Sequence, residues 1–135
     1  MSSQQNQFVS VPDNTSITED AATFIENVTF DKIPAEAIRV GTRCVVDGLG
    51  LYVAGSDHET TTIQAELASE IQGTPEALLL GHGKQAVPVA MAARVLGTAG
   101  HAHDWDDSQV SKDPDHVYGL LTHPTIPPLT ASLVM

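Results

Sequence analysis

Between residues 101 and 110 the chain reads HAHDWDDSQV, which sets two imidazoles and three carboxylates in seven consecutive positions. His116 and His123 follow, with Asp113 and Asp115 between them and the first cluster. A protein interior cannot hold so many ionisable groups unpaired, because a buried charge without a partner is costly. The stretch is therefore either a solvated loop or a site. Carboxylates set beside imidazoles can be given different proton affinities by burial and mutual repulsion, and together they can supply an acid and a base near neutral pH. Trp105, the only tryptophan, is a large ring among acids and predicts a partly enclosed place.

Imidazole and carboxylate are also ligands of zinc and iron. The spacing argues against that reading. The H-x-H-x-D-H arrangement of metallo-β-lactamase-like hydrolases requires Asp and His where this chain has Trp105 and Asp106, and no H-E-x-x-H occurs. No metal is assigned. A small metal-dependent hydrolase using His101, His103 and Asp104 remains the alternative enzyme, and a non-catalytic helical interaction module the alternative from another class.

The rest of the chain must position this cluster. Its 135 residues, 41% hydrophobic, are enough for one ordinary domain with a core. Six lysines and arginines against seventeen acids leave a formal charge of -11, which repels nucleic acid and anionic membrane surfaces. The polar N-terminus has neither a basic nor an apolar leader region, and no stretch reaches the ~18 apolar residues of a membrane span. The single Cys44 excludes an internal disulfide, reads as a small core residue and fits a reducing cytoplasm.

Residues 1–17 read as a disordered polar tail. Thr18, with Glu19 and Asp20 behind it, opens a short helix; Pro34 sits in the first turn of a longer one ending near Gly55, whose internal Gly41, Gly48 and Gly50 predict close helix packing. A third helix spans about Thr60 to Ile71, with Gly73 as its C-terminal cap. Ala77–Gly81 fits a strand or a buried turn. The small apolar stretch from Lys84 to Gly100 reads as a helix buried on most sides. The last helix starts near His123-Pro124 and carries no stop signal through Ser132–Met135, so the reading is of an element that continues.

In this order the motifs resemble the N-terminal part of the MmgE/PrpD family, which includes 2-methylcitrate dehydratase, cis-aconitate decarboxylase and iminodisuccinate epimerase. The family pattern is a helix of small residues, then H-x-x-D-[FYW]-D-D-[TS], a loop, and H-P-[ST] opening a helix. Here these are His101, Asp104, Trp105, Asp106, Asp107 and Ser108, then His123-Pro124-Thr125 and Pro127-Pro128-Leu129. RCVVDGLGLYVAG, residues 43–55, is similar to the family's D-x-[LI]-G-x-x-x-A-G helix. The likeness covers about residues 18–135.

The resemblance implies an all-α fold, the N-terminal segment of a helical domain whose remainder and α+β lid are absent here. It implies a cytoplasmic, homodimeric lyase without a cofactor. That lyase abstracts a proton next to a carboxylate of a small polycarboxylate and then loses water or carbon dioxide, or is reprotonated. On that reading Asp104, Ser108 and His123 line the active site, while His101, Asp107 and Thr125 bind substrate or support them. Asp106 faces solvent or caps a turn, and His103 is a local variation. His116 and Tyr118 are assigned to the surface. The cations Lys32, Arg39, Arg43, Lys84, Arg94 and Lys112 lie outside both halves of the motif, so the charge that clamps a polycarboxylate comes from elsewhere, and the segment alone is expected to have little or no turnover.

Overall fold

A computed structural model describes residues 16–109 and 122–135. The expected polar tail, and His116 and Tyr118, therefore lie outside the described residues. The chain divides into two units, Met1–Ala37 and Ile38–Met135.

In the first unit, α1 (Ile17–Asn27) starts one residue before the expected Thr18. The Ser16 hydroxyl donates to Asp20 at 3.0 Å and the Ser16 carbonyl accepts the Asp20 N–H at 2.8 Å, while Glu19 and Asp20 face the positive end of the helix. It ends at Val28, where the backbone becomes extended, and a 3-10 turn follows at Phe30–Lys32. Phe24, Ile25 and Phe30 are exposed.

The second unit holds the site. Its first helix, α2 (Ala35–Ala54), begins in the last residues of the first unit, with Pro34 just before it instead of inside its first turn. His58 caps α3 (Glu59–Glu70): its Nδ1 accepts the Thr60 N–H at 3.3 Å and lies 2.9 Å from the Thr60 hydroxyl. The cap expected of Gly73 is not made, since α3 has already ended at an extended Ile71; Gly73 instead lies against the Pro88 ring, where a Cβ would come within 2.6 Å of Cγ.

The run from Lys84 is helical only from Val89. Pro88 has no N–H and drives Val87 towards extended backbone. Residues Ala86–Val87 accordingly form β2, antiparallel to β1 (Ala77–Leu78), with Ala77 opposite Val87. The loop between them turns on Gly81 and Gly83, both at positive φ (86° and 78°). The second half of the run is α4 (Val89–His101), and α5 (Ile126–Val134) starts three residues later than expected. Five helices and one small ribbon make the described residues mostly helical, as expected.

α4 is the central element because both core clusters use it. Ala92 and Val95 join Ala65 and Ala68 of α3 and Ala77, Leu79 and Val87 of the ribbon, while Leu96 and Ala99 join Tyr52 and Ile126. These small side chains allow close backbone approach. A Cβ on Gly55 would fall on the carbonyl oxygen of Ala99, and one on Gly48 would meet Leu129 Cδ2 at 2.6 Å. Gly41 and Gly50 have open space where a Cβ would stand, so the expected close packing holds only for Gly48 among the three. Cys44 is half-buried at a cavity wall, not in either core cluster.

The Tyr52 hydroxyl donates to the Ile126 carbonyl at 3.2 Å and lies 2.7 Å from the Thr130 hydroxyl, tying α2 to α5. Burial holds the phenol above its ordinary value near 10, and the Thr130 hydrogen bond offsets part of that rise. The protonated phenol therefore favours the fold below pH about 10, and this contribution is lost as pH rises from there through the raised folded value. Stability measured by denaturant melts should fall across that alkaline window, and less so in Tyr52→Phe. Gly55→Ala should destabilise by about 1–3 kcal/mol in the same melts, because the clash is with backbone that cannot rotate away.

Candidate active site

The end of α4 and the residues before α5 form the site. An isolated antiparallel bridge joins Gln109 to Thr122, with the Gln109 N–H donating to the Thr122 carbonyl at 2.8 Å. It holds His101–Ser108 beside His123–Thr125. Both halves of the motif thus meet in space.

Asp106 is at the centre. It was expected at the surface or in a turn cap; instead its side chain is only 1% exposed. Its Oδ1 lies 2.7 Å from Nδ1 of His101, a hydrogen bond, and its Oδ2 lies 3.1 Å from Nδ1 of His123. The second contact is close but not aligned as a hydrogen bond, and neither atom has another partner among the described residues. The reason for burial is direct: two imidazoles converge on one carboxylate, and their ring centres are 4.7 Å apart.

The neighbouring acids do different work. Asp107 Oδ1 accepts the Thr125 N–H at 3.2 Å and Oδ2 accepts the Thr125 hydroxyl at 2.6 Å. Pro127 and Pro128 in the first turn of α5 bring no N–H, so this one carboxylate supports the helix start from 18 residues away. Asp104 has a φ of 55°, a left-handed conformation that Asp tolerates better than most residues, and its carboxylate is 79% exposed, 4.0 Å from Nε2 of His101. Ser108 is exposed and makes no side-chain hydrogen bond among the described residues.

Trp105 does not mark an enclosed place, since it is 66% exposed. Its ring stacks on His103 at 4.4 Å, the edge of His58 meets His103 at 5.0 Å, and His103 Nε2 lies 3.2 Å from the Ala54 carbonyl. This aromatic group ties the motif to the end of α2 and the start of α3. His103 faces that group, so the set His101–His103–Asp104 required by the hydrolase alternative is not the one brought together. The set that is brought together, His101, Asp104, Asp106 and His123, has one possible ligand atom from each residue within 4.8 Å and is large enough to enclose a cation. However, His101 Nδ1 and Asp106 Oδ1 already satisfy each other, which fits a hydrogen-bonded proton site better than a ligand sphere.

Two cavities, each of about 370 Å³, adjoin the motif. One lies between α4 and α5, with His101, Asp106 and His123 beside apolar Gly97, Ile126 and Pro127. The other is lined by Val40, Arg43, Cys44 and Asp47 of α2 together with Asp107, so the fold brings a guanidinium next to the motif that the sequence order did not place there. Asp106 and Arg43 are the two residues that sequence reasoning missed. The nearest signal for Asp106 was its place between two acids that must divide tasks; Arg43 had none.

Replacing Asp107 with alanine should cost about 1–2 kcal/mol, the loss of a capping carboxylate that leaves the part-buried Thr125 donors unpaired. Hydrogen exchange should quicken first at the α5 start; unchanged protection there would show that Asp107 does not hold that helix.

Neither a curated protein nor a solved structure matches the chain. Residues 19–119 match the family model described as the MmgE/PrpD N-terminal domain, a span that takes in α2, α4 and the whole H-x-x-D-W-D-D-S segment and stops just before His123-Pro124. With more than half of its length inside that match, the chain belongs to the MmgE/PrpD family.

Proposed function

We propose that the site is the proton-transfer centre of a lyase that acts on a small polycarboxylate and removes a proton from the carbon next to a carboxylate. The observation that carries this reading is the buried carboxylate of Asp106 beneath two imidazoles that border a cavity. An imidazole held at one nitrogen by a carboxylate offers the other nitrogen to a proton, and the carboxylate stabilises the cation that results.

In this reading His123 or Asp104 acts as general base or acid, and Ser108 holds a substrate hydroxyl or carboxylate. His101 supports Asp104. The cavity between α4 and α5 takes the carbon skeleton against Gly97 and Ile126, and Arg43 supplies a positive charge on the side of Asp107. One guanidinium does not neutralise a polycarboxylate, so turnover requires further cations beyond those the motif presents.

Incubation with 2-methylcitrate or cis-aconitate in deuterated water, in the presence of the segments that supply those further cations, followed by NMR, tests the reading. Deuterium should enter at the carbon next to a carboxylate, and Asp104→Asn should slow this by ~10²–10⁴-fold, the scale of a lost proton-transfer group. Absence of exchange, or an Asp104→Asn variant as fast as the parent, would overturn it.

A further inference from the structure

The buried carboxylate has a consequence for the protons of both rings. An ionised carboxylate only accepts hydrogen bonds, and when it is buried each of its oxygens needs a donor. Asp106 Oδ1 has Nδ1 of His101 at 2.7 Å. Asp106 Oδ2 faces Nδ1 of His123 at 3.1 Å, and both of these atoms are buried with no other partner among the described residues. A neutral imidazole carries one N–H, so a ring that turns Nδ1 to an ionised carboxylate must hold its proton there and leave Nε2 bare.

We infer that Asp106 is a positioning residue that fixes His101 and His123 in the same tautomer, Nδ1–H with a bare Nε2, so that both rings turn their proton acceptor away from Asp106. The inference rests on the proton-transfer reading for its purpose, though not for its geometry. The His123 contact lies within hydrogen-bond distance, though it is not aligned as one.

The arrangement gives an alternating chain: Asp104, His101, Asp106, His123. The bare Nε2 of His101 is the atom that lies 4.0 Å from the Asp104 carboxylate. A proton received there sits between two carboxylates already in place, and little reorganisation is required when the charge appears. In the other tautomer Nε2 would already carry the proton and could accept none.

The test is the nitrogen chemical shifts of the two rings in the uniformly ¹⁵N-labelled 135-residue protein, assigned with the single variants His101→Gln and His123→Gln. At a pH where the rings are neutral, both should show a protonated Nδ1 and an unprotonated Nε2. In Asp106→Asn the side chain offers one acceptor and one donor, so one ring should keep this pattern and the other should switch to Nε2–H. The parent spectrum decides even where Asp106→Asn does not fold.

A parent protein with either ring as Nε2–H overturns the inference, as does a folded Asp106→Asn with both rings unchanged. Stoichiometric zinc binding that shifts Nδ1 of His123 also overturns it, because the unpaired atoms would then be ligands. None of these outcomes bears on deuterium exchange, so failure of the tautomer and failure of the lyase reading are told apart.

Discussion

A carboxylate that is taken out of water must find donors, and Asp106 is almost wholly out of water. The imidazoles that converge on it come from two separate places in the sequence, the last turn of α4 and the residue that precedes Pro124. The chain has to bring those places together, and several features of the second unit serve that end. The Gln109–Thr122 bridge joins the two halves of the motif, Asp107 holds the start of α5, and the Tyr52 hydroxyl ties α2 to the same helix. Asp106 and Asp107, adjacent in the chain, face different partners and divide two tasks between them. One orients imidazoles, and the other starts a helix.

Small residues make this geometry possible. α4 lies against α3 on one side and against α5 and Tyr52 on another, and the approach is close because the contacting positions are Ala65, Ala68, Ala92, Ala99 and Gly100. At Gly100 a Cβ would come within 2.7 Å of the Tyr52 ring and 2.8 Å of Ile126, so even alanine is too large there. His101 follows directly, and the helix therefore delivers it to the site with its backbone pinned. The stacked His103 and Trp105 then hold the turn at Asp104 from the other side. An exposed tryptophan can organise a site from outside it, through contact with one neighbour.

Electrostatics adds a second constraint. In a chain of charge -11, any positive charge at the site depends on where the fold places its few cations. Arg43 borders the cavity shared with Asp107, although more than sixty positions separate the two in the chain. Helix α2 achieves this by running past α5, with Gly48 against Leu129 and Ile126. The glycine pattern of α2 thus contributes to where positive charge is found.

The sequence by itself determined the family, because the order of small-residue helix, H-x-x-D-W-D-D-S and H-P-T is a one-dimensional property that survives without coordinates. It also determined the helical class and most helix positions, since these follow from local periodicity, capping and proline. It did not determine which acid does what. Asp104, Asp106 and Asp107 are chemically alike and lie within four consecutive positions, and their roles separate only through which partners the fold sets before each one. Burial of Asp106, exposure of Trp105 and the placement of Arg43 were all decided by long-range contacts. At Ala86–Val87 the extended backbone had a local signal in Pro88, but its pairing with Ala77–Leu78 is one that helical periodicity within Lys84–Gly100 does not register.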